Sequence, residues 1–358
     1  MPDATCAGCG CLCDDIEVTA DGLVRTCPLG DAWFAEIGDR PPVARVDRRA
    51  VSVEEAADVA AAILREARAP LVYGLCRTSC EAQRRAVALA EAAGAVIDVG
   101  AATGAYAAIG TSTATFGEIR DRAELVVVWR GDPVVTHPRL LERLRLDPAA
   151  MIVVDSQRTA TAEAAGTFVE VADDFEALWA VRGGEAGPLA DRIVAARHVA
   201  FIHGPLGELT ALALLSLVRD LARDRHVVTL GLRAGNARGA EDVLAWQTGF
   251  AAPVDFARGY PREGPGAAEL LERGEVDAAL VVAGDPIDLP RDLPMVVIDS
   301  RATATSRTAR VAFGTAADGI EVAGTAHRMD GVPVPLRAPL PGDRPSVEDV
   351  LAAIEERL

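Results

Sequence analysis

Three pairs of similar strings recur along the chain in the same order, and this internal repeat constrains the fold more than any other feature. The pairs are 70–74 with 199–204, 126–133 with 280–286, and 153–161 with 297–305. Both members of the second pair end in Gly-Asp-Pro, and both members of the third contain Asp-Ser followed by Ala-Thr. Chance is a poor explanation for three such pairs, so the sequence predicts two similar domains.

Each copy of the repeat alternates short apolar runs with longer amphipathic stretches. The runs at 125–129 and 151–154 read Leu-Val-Val-Val-Trp and Met-Ile-Val-Val, and neither run contains a polar residue. Such runs are typical of buried parallel strands, and the helical stretches between them indicate an α/β sheet. We therefore expect four parts: a cysteine-rich module at 1–48, parallel-sheet α/β domains at 49–185 and 186–330, and a tail with a last helix at 331–358.

The charge of the chain excludes several classes of partner. Its formal net charge of -17 argues against nucleic acid, which needs a basic surface, and against an anionic membrane. No run approaches the roughly 20 apolar residues of a membrane span. The first six residues have neither the basic nor the apolar segment of a signal peptide, so we expect a cytoplasmic protein.

Five of the seven cysteines lie near the start of the chain, at Cys6, Cys9, Cys11, Cys13 and Cys27. A disulfide framework would be spread along a small secreted chain, so this clustering indicates a metal site. The spacing Cys-x2-Cys-x3-Cys-x13-Cys, with Cys11 as a spare, favours a [4Fe-4S] cluster. A structural zinc site is the chief alternative, although it usually uses two Cys-x2-Cys knuckles. Free thiols are the third reading.

The loops after the repeated strands are candidates for ligand binding. In doubly wound sheets, ligands sit beyond the carboxyl ends of the strands, where the Gly-Asp-Pro and Asp-Ser loops fall. The aspartates could contact a dinucleotide-type ligand, or they could simply cap the next helix. Neither Gly-x-Gly-x-x-Gly nor Gly-x4-Gly-Lys-[Ser/Thr] is present, which argues against an unrelated nucleotide-binding enzyme with a zinc knuckle. Cys76 and Cys80 are expected to be buried small residues.

Several strings resemble the B subunit of formylmethanofuran dehydrogenases. They lie at 6–16, 27–30, 77–83, 94–98, 246–250, 255–262, 319–321 and 324–330. Redox members of that family belong with the molybdopterin oxidoreductases, which bind a [4Fe-4S] cluster and a molybdenum or tungsten bis-pterin guanine dinucleotide. The resemblance implies that the cluster ligands are Cys6, Cys9, Cys13 and Cys27. It also implies that Asp155, Arg158 and Asp299 descend from pterin-dinucleotide contacts.

One departure from the family pattern decides the functional prediction. The redox members place a metal-binding Cys followed by His where this chain has Gly104 and Ala105. A second family histidine, expected near 233–236, is also absent, and none of the five histidines stands in a metal-ligand spacing. We therefore expect no bis-pterin metal centre and no catalytic residue in this chain.

The family has two kinds of complex in which such a chain could serve. We predict a non-catalytic scaffold subunit of a formyltransferase/hydrolase complex, which by analogy moves a formyl group from a tetrahydromethanopterin carrier to a methanofuran-like carrier and releases formate. The alternative is a catalytic subunit that interconverts carbon dioxide and formate. Either reading implies other complex subunits as partners.

Overall fold

The computed structural model describes residues 3–38, 40–100, 104–185, 187–251, 253–286, 289–290 and 292–358. The strands are β1 Asp3–Cys6, β2 Cys13–Thr19, β3 Gly22–Val24, β4 Ala44–Val46, β5 Arg49–Ala50, β6 Pro70–Gly74, β7 Val96–Asp98, β8 Leu125–Trp129, β9 Met151–Asp155, β10 Thr167–Glu170, β11 His198–His203, β12 His226–Gly231, β13 Val254–Asp255, β14 Arg262–Glu263, β15 Ala278–Val282, β16 Met295–Asp299, β17 Val311–Gly314, β18 Gly324–His327 and β19 Pro333–Leu336. The helices are α1 Pro28–Ala35, α2 Val53–Glu66, α3 Cys80–Ala93, α4 Gly104–Ile109, α5 Phe116–Arg122, α6 Pro133–Thr136, α7 Leu140–Leu144, α8 Ala160–Ala164, α9 Asp174–Gly183, α10 Pro188–Ala195, α11 Glu208–Leu221, α12 Ala237–Thr248, α13 Ala267–Glu272, α14 Ala304–Thr308 and α15 Val347–Glu355.

The chain divides into two compact units. The first unit consists of the described residues of Met1–Ala101, Ala234–Arg328 and Pro333–Leu358. Its main sheet has the strand order β14-β13-β7-β6-β15-β16-β17-β4-β5, in which the central strands from β7 to β17 are parallel. A separate antiparallel sheet of β1, β2 and β3 carries the first cysteines, and β18 pairs with β19.

The second unit consists of the described residues of Ala102–Arg233 and Met329–Val332. Its sheet has the order β10-β9-β8-β11-β12, and all of these strands are parallel. β8 and β9 are apolar and buried, with only the last residue of β9 partly exposed, as their unalternated sequences predict. The α/β class and the mainly parallel sheets are therefore confirmed.

The two sheets have equivalent strand orders, but each takes its strands from both halves of the sequence. Across the first unit's sheet the parallel strands follow the order β7-β6-β15-β16-β17, and across the second unit's sheet the corresponding order is β12-β11-β8-β9-β10. The early pair of strands of each half thus joins the later three strands of the other half. The predicted domains 49–185 and 186–330 are therefore wrong as compact units. A sequence repeat identifies similar elements, but hydrogen bonding between strands decides which of them share a sheet.

The predicted outer boundaries also shift. β4 pairs with β17, so the first unit's main sheet already includes residues assigned to the 1–48 module. The last helix, α15, forms as predicted, and Ser346 and Asp349 cap its start reciprocally. Its residues Val350, Leu351 and Ile354 belong to the first unit's core, so 331–358 is not a separate tail.

Small residues make the core close-packed with few aromatic rings. α2 buries four alanines together with Ile63 and Leu64, which agrees with an aromatic content of only 4%. α3 begins at the cap Ser79, whose hydroxyl accepts from Ala82 N, and it ends at Gly94, whose φ of 63° is left-handed. Among the described residues, no helix is long and apolar enough to cross a membrane.

Candidate functional site

The first three predicted cluster ligands lie on one β-hairpin. β1 ends at Cys6 and β2 begins at Cys13, and these two residues face each other across the antiparallel pair. The connecting loop carries Cys9 and turns at Leu12, whose φ of 38° is left-handed and whose N–H donates to Cys9 O. Cys27 arrives from a later segment and lies at the N-cap of α1.

Three of the predicted ligands act electrostatically on the fourth, Cys6. Burial raises the pKa of the Cys6 thiol to about 12, a hydrogen bond from Gly8 N–H lowers this pKa, and negative charge on Cys13, Cys9 and Cys27 raises it further. These three residues therefore lie near Cys6. Within the described part of the chain, however, no group of three or more His, Cys, Asp or Glu side chains has a geometry that could hold a metal ion. The ligand set stays a prediction.

Two glycines lie close to the Cys6 sulfur. Gly8 N lies 3.4 Å from Cys6 Sγ, at the distance of an N–H···S hydrogen bond. A Cβ added at Gly8 or at Gly30 would lie 3.4 Å from the same sulfur. Four cysteine thiols are the donor set of an iron–sulfur cluster, and they are equally the donor set of a zinc site with four cysteine ligands.

The aspartates of the two Gly-Asp-Pro loops accept equivalent sets of hydrogen bonds. Asp132 accepts hydrogen bonds from the N–H groups of Ala160 and Thr161, at 3.3 and 2.9 Å, and from the Thr161 hydroxyl at 2.5 Å. Asp285 accepts the equivalent bonds from Ala304 and Thr305, at 3.2, 2.9 and 2.5 Å. Each aspartate therefore holds the start of a helix, α8 or α14. The sequence left capping of the next helix as one of two alternatives, but Asp132, the N-cap residue of α6, makes no side-chain hydrogen bond to that helix. The N-cap residues of α8 and α14 are Thr159 and Thr303.

The aspartates that end β9 and β16 are also bound within the chain. Asp299 is 2% exposed and accepts three hydrogen bonds from Arg301, through its backbone N, Nε and Nη2. Asp155 accepts from Ser156 N at 2.7 Å and lies 3.5 Å from an Arg130 guanidinium nitrogen. Arg158 points away, with its side chain 58% exposed, near Glu163 and over Phe168. The structure thus gives each predicted pterin contact a partner within its own unit.

The two residues at the positions of the expected Cys–His pair, Gly104 and Ala105, belong to helix α4. Gly104 is the first residue of α4. Ala105 is 1% exposed and packs against Ala211 and Leu215 of α11. A ligating side chain at Ala105 would therefore meet the α11 surface.

Tyr106 of α4 forms a hydrogen-bonded pair with the buried His203 of β11. Tyr106 Oη lies 2.9 Å from His203 Nε2, and His203 Nδ1 lies 2.8 Å from Gly204 O. Because a carbonyl oxygen only accepts, Nδ1 carries the proton and Nε2 accepts from the tyrosine hydroxyl. Burial lowers the pKa of His203 to about 4, and the nearby charge of Arg233 adds to this lowering. His203 is therefore a neutral, fully hydrogen-bonded side chain.

Sequence reasoning missed a buried polar network in the first unit. Gln83 Nε2 donates to Leu75 O and to Asn236 O, and Asn236 Nδ2 donates to Thr78 O at 2.8 Å. Asn236 Oδ1 accepts from His327 N at 2.7 Å. The signal was available, because this network joins the family-like strings 77–83 and 324–330, whose polar residues have no catalytic explanation.

Asp318 is the most unusual member of this network. It accepts hydrogen bonds from the Thr78 hydroxyl and, at 3.0 Å, from Ser79 N. Burial raises its pKa to about 6, despite these hydrogen bonds. The network also lies beside the cysteine loop, since a Cβ at Gly235 would lie 2.3 Å from Cys76 O and 3.2 Å from Ala7 O. Its polar residues therefore fix the backbone on which that loop rests.

Two parallel sheets with equivalent strand orders and an N-terminal cysteine hairpin define an α/β protein of the doubly wound class. No protein-family profile matches the chain. It is 33% identical to the B subunit of the tungsten-containing formylmethanofuran dehydrogenase 2 of Methanocaldococcus jannaschii, over 94% of this chain and 92% of that protein. The corresponding protein of Methanococcus maripaludis is 30% identical, over 94% and 93%. The chain belongs to the family of formylmethanofuran dehydrogenase B subunits.

Two further similarities involve a bacterial complex. The B subunit of the formyltransferase/hydrolase complex Fhc of Methylorubrum extorquens is 28% identical, over 86% of this chain and 95% of that protein. A chain in the crystal structure of that FhcABCD complex with methylofuran superposes with a TM-score of 0.72 and 26% identity, covering 88% of this chain and 98% of the other. The family resemblance and the α/β fold that it implied are thus confirmed.

Proposed function

We propose that this chain is a non-catalytic scaffold subunit of a formyltransferase/hydrolase complex, which converts a carrier-bound formyl group to formate in tetrahydromethanopterin-linked one-carbon metabolism. Family membership and the superposition on a chain of the FhcABCD complex support an assembly with other subunits of that kind. Methanofuran-like carriers would then be handled by those partners. We also place the complex in the cytoplasm, where clustered thiols stay reduced.

The observation that carries the proposal is the pair Gly104 and Ala105. A glycine and an alanine offer neither the soft thiolate that molybdenum or tungsten needs nor a proton-handling imidazole. The packing of Ala105 on α11 and the hydrogen bond between Tyr106 and His203 occupy the same part of the second unit. Restoring one ligand would therefore not restore a site.

The alternative is a redox subunit that interconverts carbon dioxide and formate. The identities of 33% and 30% to tungsten-containing relatives favour it, because they exceed the 28% to the Fhc protein. Overall identity, however, reflects the whole fold, whereas metal binding depends on one or two side chains. We give the ligand positions more weight than the difference of a few per cent.

For the N-terminal loop we propose a [4Fe-4S] cluster held by Cys6, Cys9, Cys13 and Cys27. Its support is the four-thiol donor set, the electrostatic effect of the other three thiols on Cys6 and the glycines beside Cys6. Such a cluster would stabilise the loop and, in a redox relative, would relay electrons. We propose no bis-pterin cofactor, and Asp155, Arg158 and Asp299 would be remnants of its contacts.

Metal analysis of the complex purified anaerobically from its native host tests both proposals. We expect about four irons per chain, a broad brown absorbance, no molybdenum or tungsten, and no viologen-linked formate oxidation. Cys27→Ser should remove most of the iron, whereas Cys11→Ser, the matched control, should retain it. Stoichiometric zinc without iron would refute the cluster. Near-stoichiometric tungsten or molybdenum with formate oxidation would refute the scaffold reading.

A double variant sharpens the test. We expect Gly104→Cys with Ala105→His to recover neither tungsten nor molybdenum, because α11 fills the adjacent space. Deleting the chain should remove the formyl-to-formate activity of the whole complex. A deletion strain with intact complex activity would contradict the scaffold role.

A further inference from the structure

The outward face of α9, in the second unit, carries two exposed aromatic side chains. Trp179 is 68% exposed and Phe175 is 48% exposed. They lie four positions apart, so they share one face of the helix. The opposite face buries Leu178 and Val181 in the core, which anchors the helix firmly. Exposed aromatic residues on an anchored helix are typical of sites for protein partners.

An open cavity of about 620 Å³ lies beside these aromatic side chains, and its lining residues all come from 170–185. Three lining residues, Glu170, Glu176 and Glu185, are exposed. In the part of the chain that the structure describes, their carboxylates have no hydrogen bond or ion pair. Arg182, on the same helix, pairs with Asp220, and its guanidinium lies 5.9 Å from the centre of the Trp179 ring. The face is therefore both apolar and negatively charged.

A small molecule is a poor occupant for this cavity. Small-ligand sites enclose most of their ligand between several elements, whereas this cavity has walls from one strand end, one helix and the following turn. A second copy of the chain is also a poor occupant, because each copy carries a formal net charge of -17 and would bring like charges together.

We propose that the α9 face binds a segment of a partner protein in which lysine or arginine flanks an apolar side chain. The apolar side chain would enter the cavity beside Phe175, and the cations would pair with the three glutamates. This identification of the partner as a member of the complex rests on the proposed function. The surface itself is an addition to it.

Photo-cross-linking identifies the occupant directly. Benzoylphenylalanine placed at position 179 of a tagged chain, in the native complex, should cross-link to a partner peptide of net positive charge. The same probe at position 246, where the tryptophan is 66% exposed in the other unit, is the matched control and should not label that peptide. The proposal fails if an assembled complex gives no cross-link at 179, an acidic peptide, or a peptide of this chain.

Charge reversal tests the electrostatic part. Glu170→Lys, Glu176→Lys and Glu185→Lys together should weaken partner binding about tenfold at moderate salt, and less at high salt. The control changes Glu66, Glu91 and Glu272 to Lys, since these exposed residues lie at helix ends that tolerate positive charge. If the wild-type chain binds no other protein of the complex, the proposed function fails. If both triple variants bind as the wild type does, only the docking surface fails.

Discussion

The two sheets have the same strand order, yet the side chains beyond their strands differ. In the first unit, Arg301 folds back on Asp299 at the end of β16. At the corresponding strand of the second unit, Asp155 contacts Arg130, while Arg158 lies exposed. The loops that hold α8 and α14, by contrast, match in each hydrogen bond to Asp132 or Asp285. The difference teaches that the repeat preserves the groups that fix the backbone, whereas the groups that could meet a ligand vary.

Arginine replacement gives the largest expected contrast between the two strand ends. Arg301→Ala should lower the free energy of unfolding by roughly 3 kcal/mol, because it leaves the buried Asp299 carboxylate without its cation. Arg158→Ala, the matched control, should cost less than about 0.5 kcal/mol, since that side chain is exposed. Denaturant titration measures both values. Equal costs would show that the two strand ends are not electrostatically different.

The pH dependence of stability should have opposite signs in the two units. The folded pKa of Asp318 is about 6 against an ordinary value of 3.8, so the folded state binds more protons between these values and stability falls as pH rises. The folded pKa of His203 is about 4 against 6.5, so the unfolded state binds more protons and stability rises with pH. In the wild-type chain the two effects oppose each other.

Single variants separate these two effects. From pH 4 to pH 7, the stability of Asp318→Asn should rise relative to the wild type by up to about 3 kcal/mol, because the variant lacks the penalty for ionising a buried carboxyl. The stability of His203→Gln should fall relative to the wild type over the same range, by a similar amount. Parallel denaturant titrations measure the differences. A flat difference for either variant would contradict the corresponding pKa.

Much of this architecture could be predicted from sequence, and the failures have physical reasons. Unalternated runs such as 125–129 and 151–154 predicted buried parallel strands, because only such strands are apolar on both faces. The exchange of strands between halves was missed, because β6 and β11 have similar sequences and periodicity carries no information about partners. Asn236 and Asp318 were missed as well, because their roles depend on contacts between residues far apart in the chain.

Replacing the glycine that follows β11 or the glycine that ends β6 should destabilise the folded state. An added Cβ at Gly204 would lie 2.0 Å from Arg130 O, and at Gly74, where φ is 108°, it would lie 2.5 Å from Val282 O. Gly204→Ala and Gly74→Ala should each cost about 2 kcal/mol, because backbone atoms must move. Gly207→Ala, with nothing within 4 Å of the added Cβ, is the control and should cost less than about 1 kcal/mol. If alanine is tolerated at one of the two sites alone, the close contact between glycine and the neighbouring strand's backbone constrains only the other sheet.

The smallest expected effect tests whether the hydrogen bonds of Asp132 and Asp285 to the starts of α8 and α14 are equivalent in energy as well as in geometry. Thr161→Val and Thr305→Val each remove one hydroxyl that donates to Asp132 or Asp285. The Thr161 hydroxyl also accepts a hydrogen bond from Val134 N–H. Each change keeps the side-chain volume and leaves the two backbone N–H donors in place, so each should cost about 1 kcal/mol. Thermal unfolding of both variants checks this value. Thr161 is fully buried and Thr305 is 7% exposed, so a modestly larger cost at Thr161 is expected. A cost at one threonine only would mean that hydrogen bonds of equal length to Asp132 and Asp285 differ in energy, and the two units would then be alike in geometry alone.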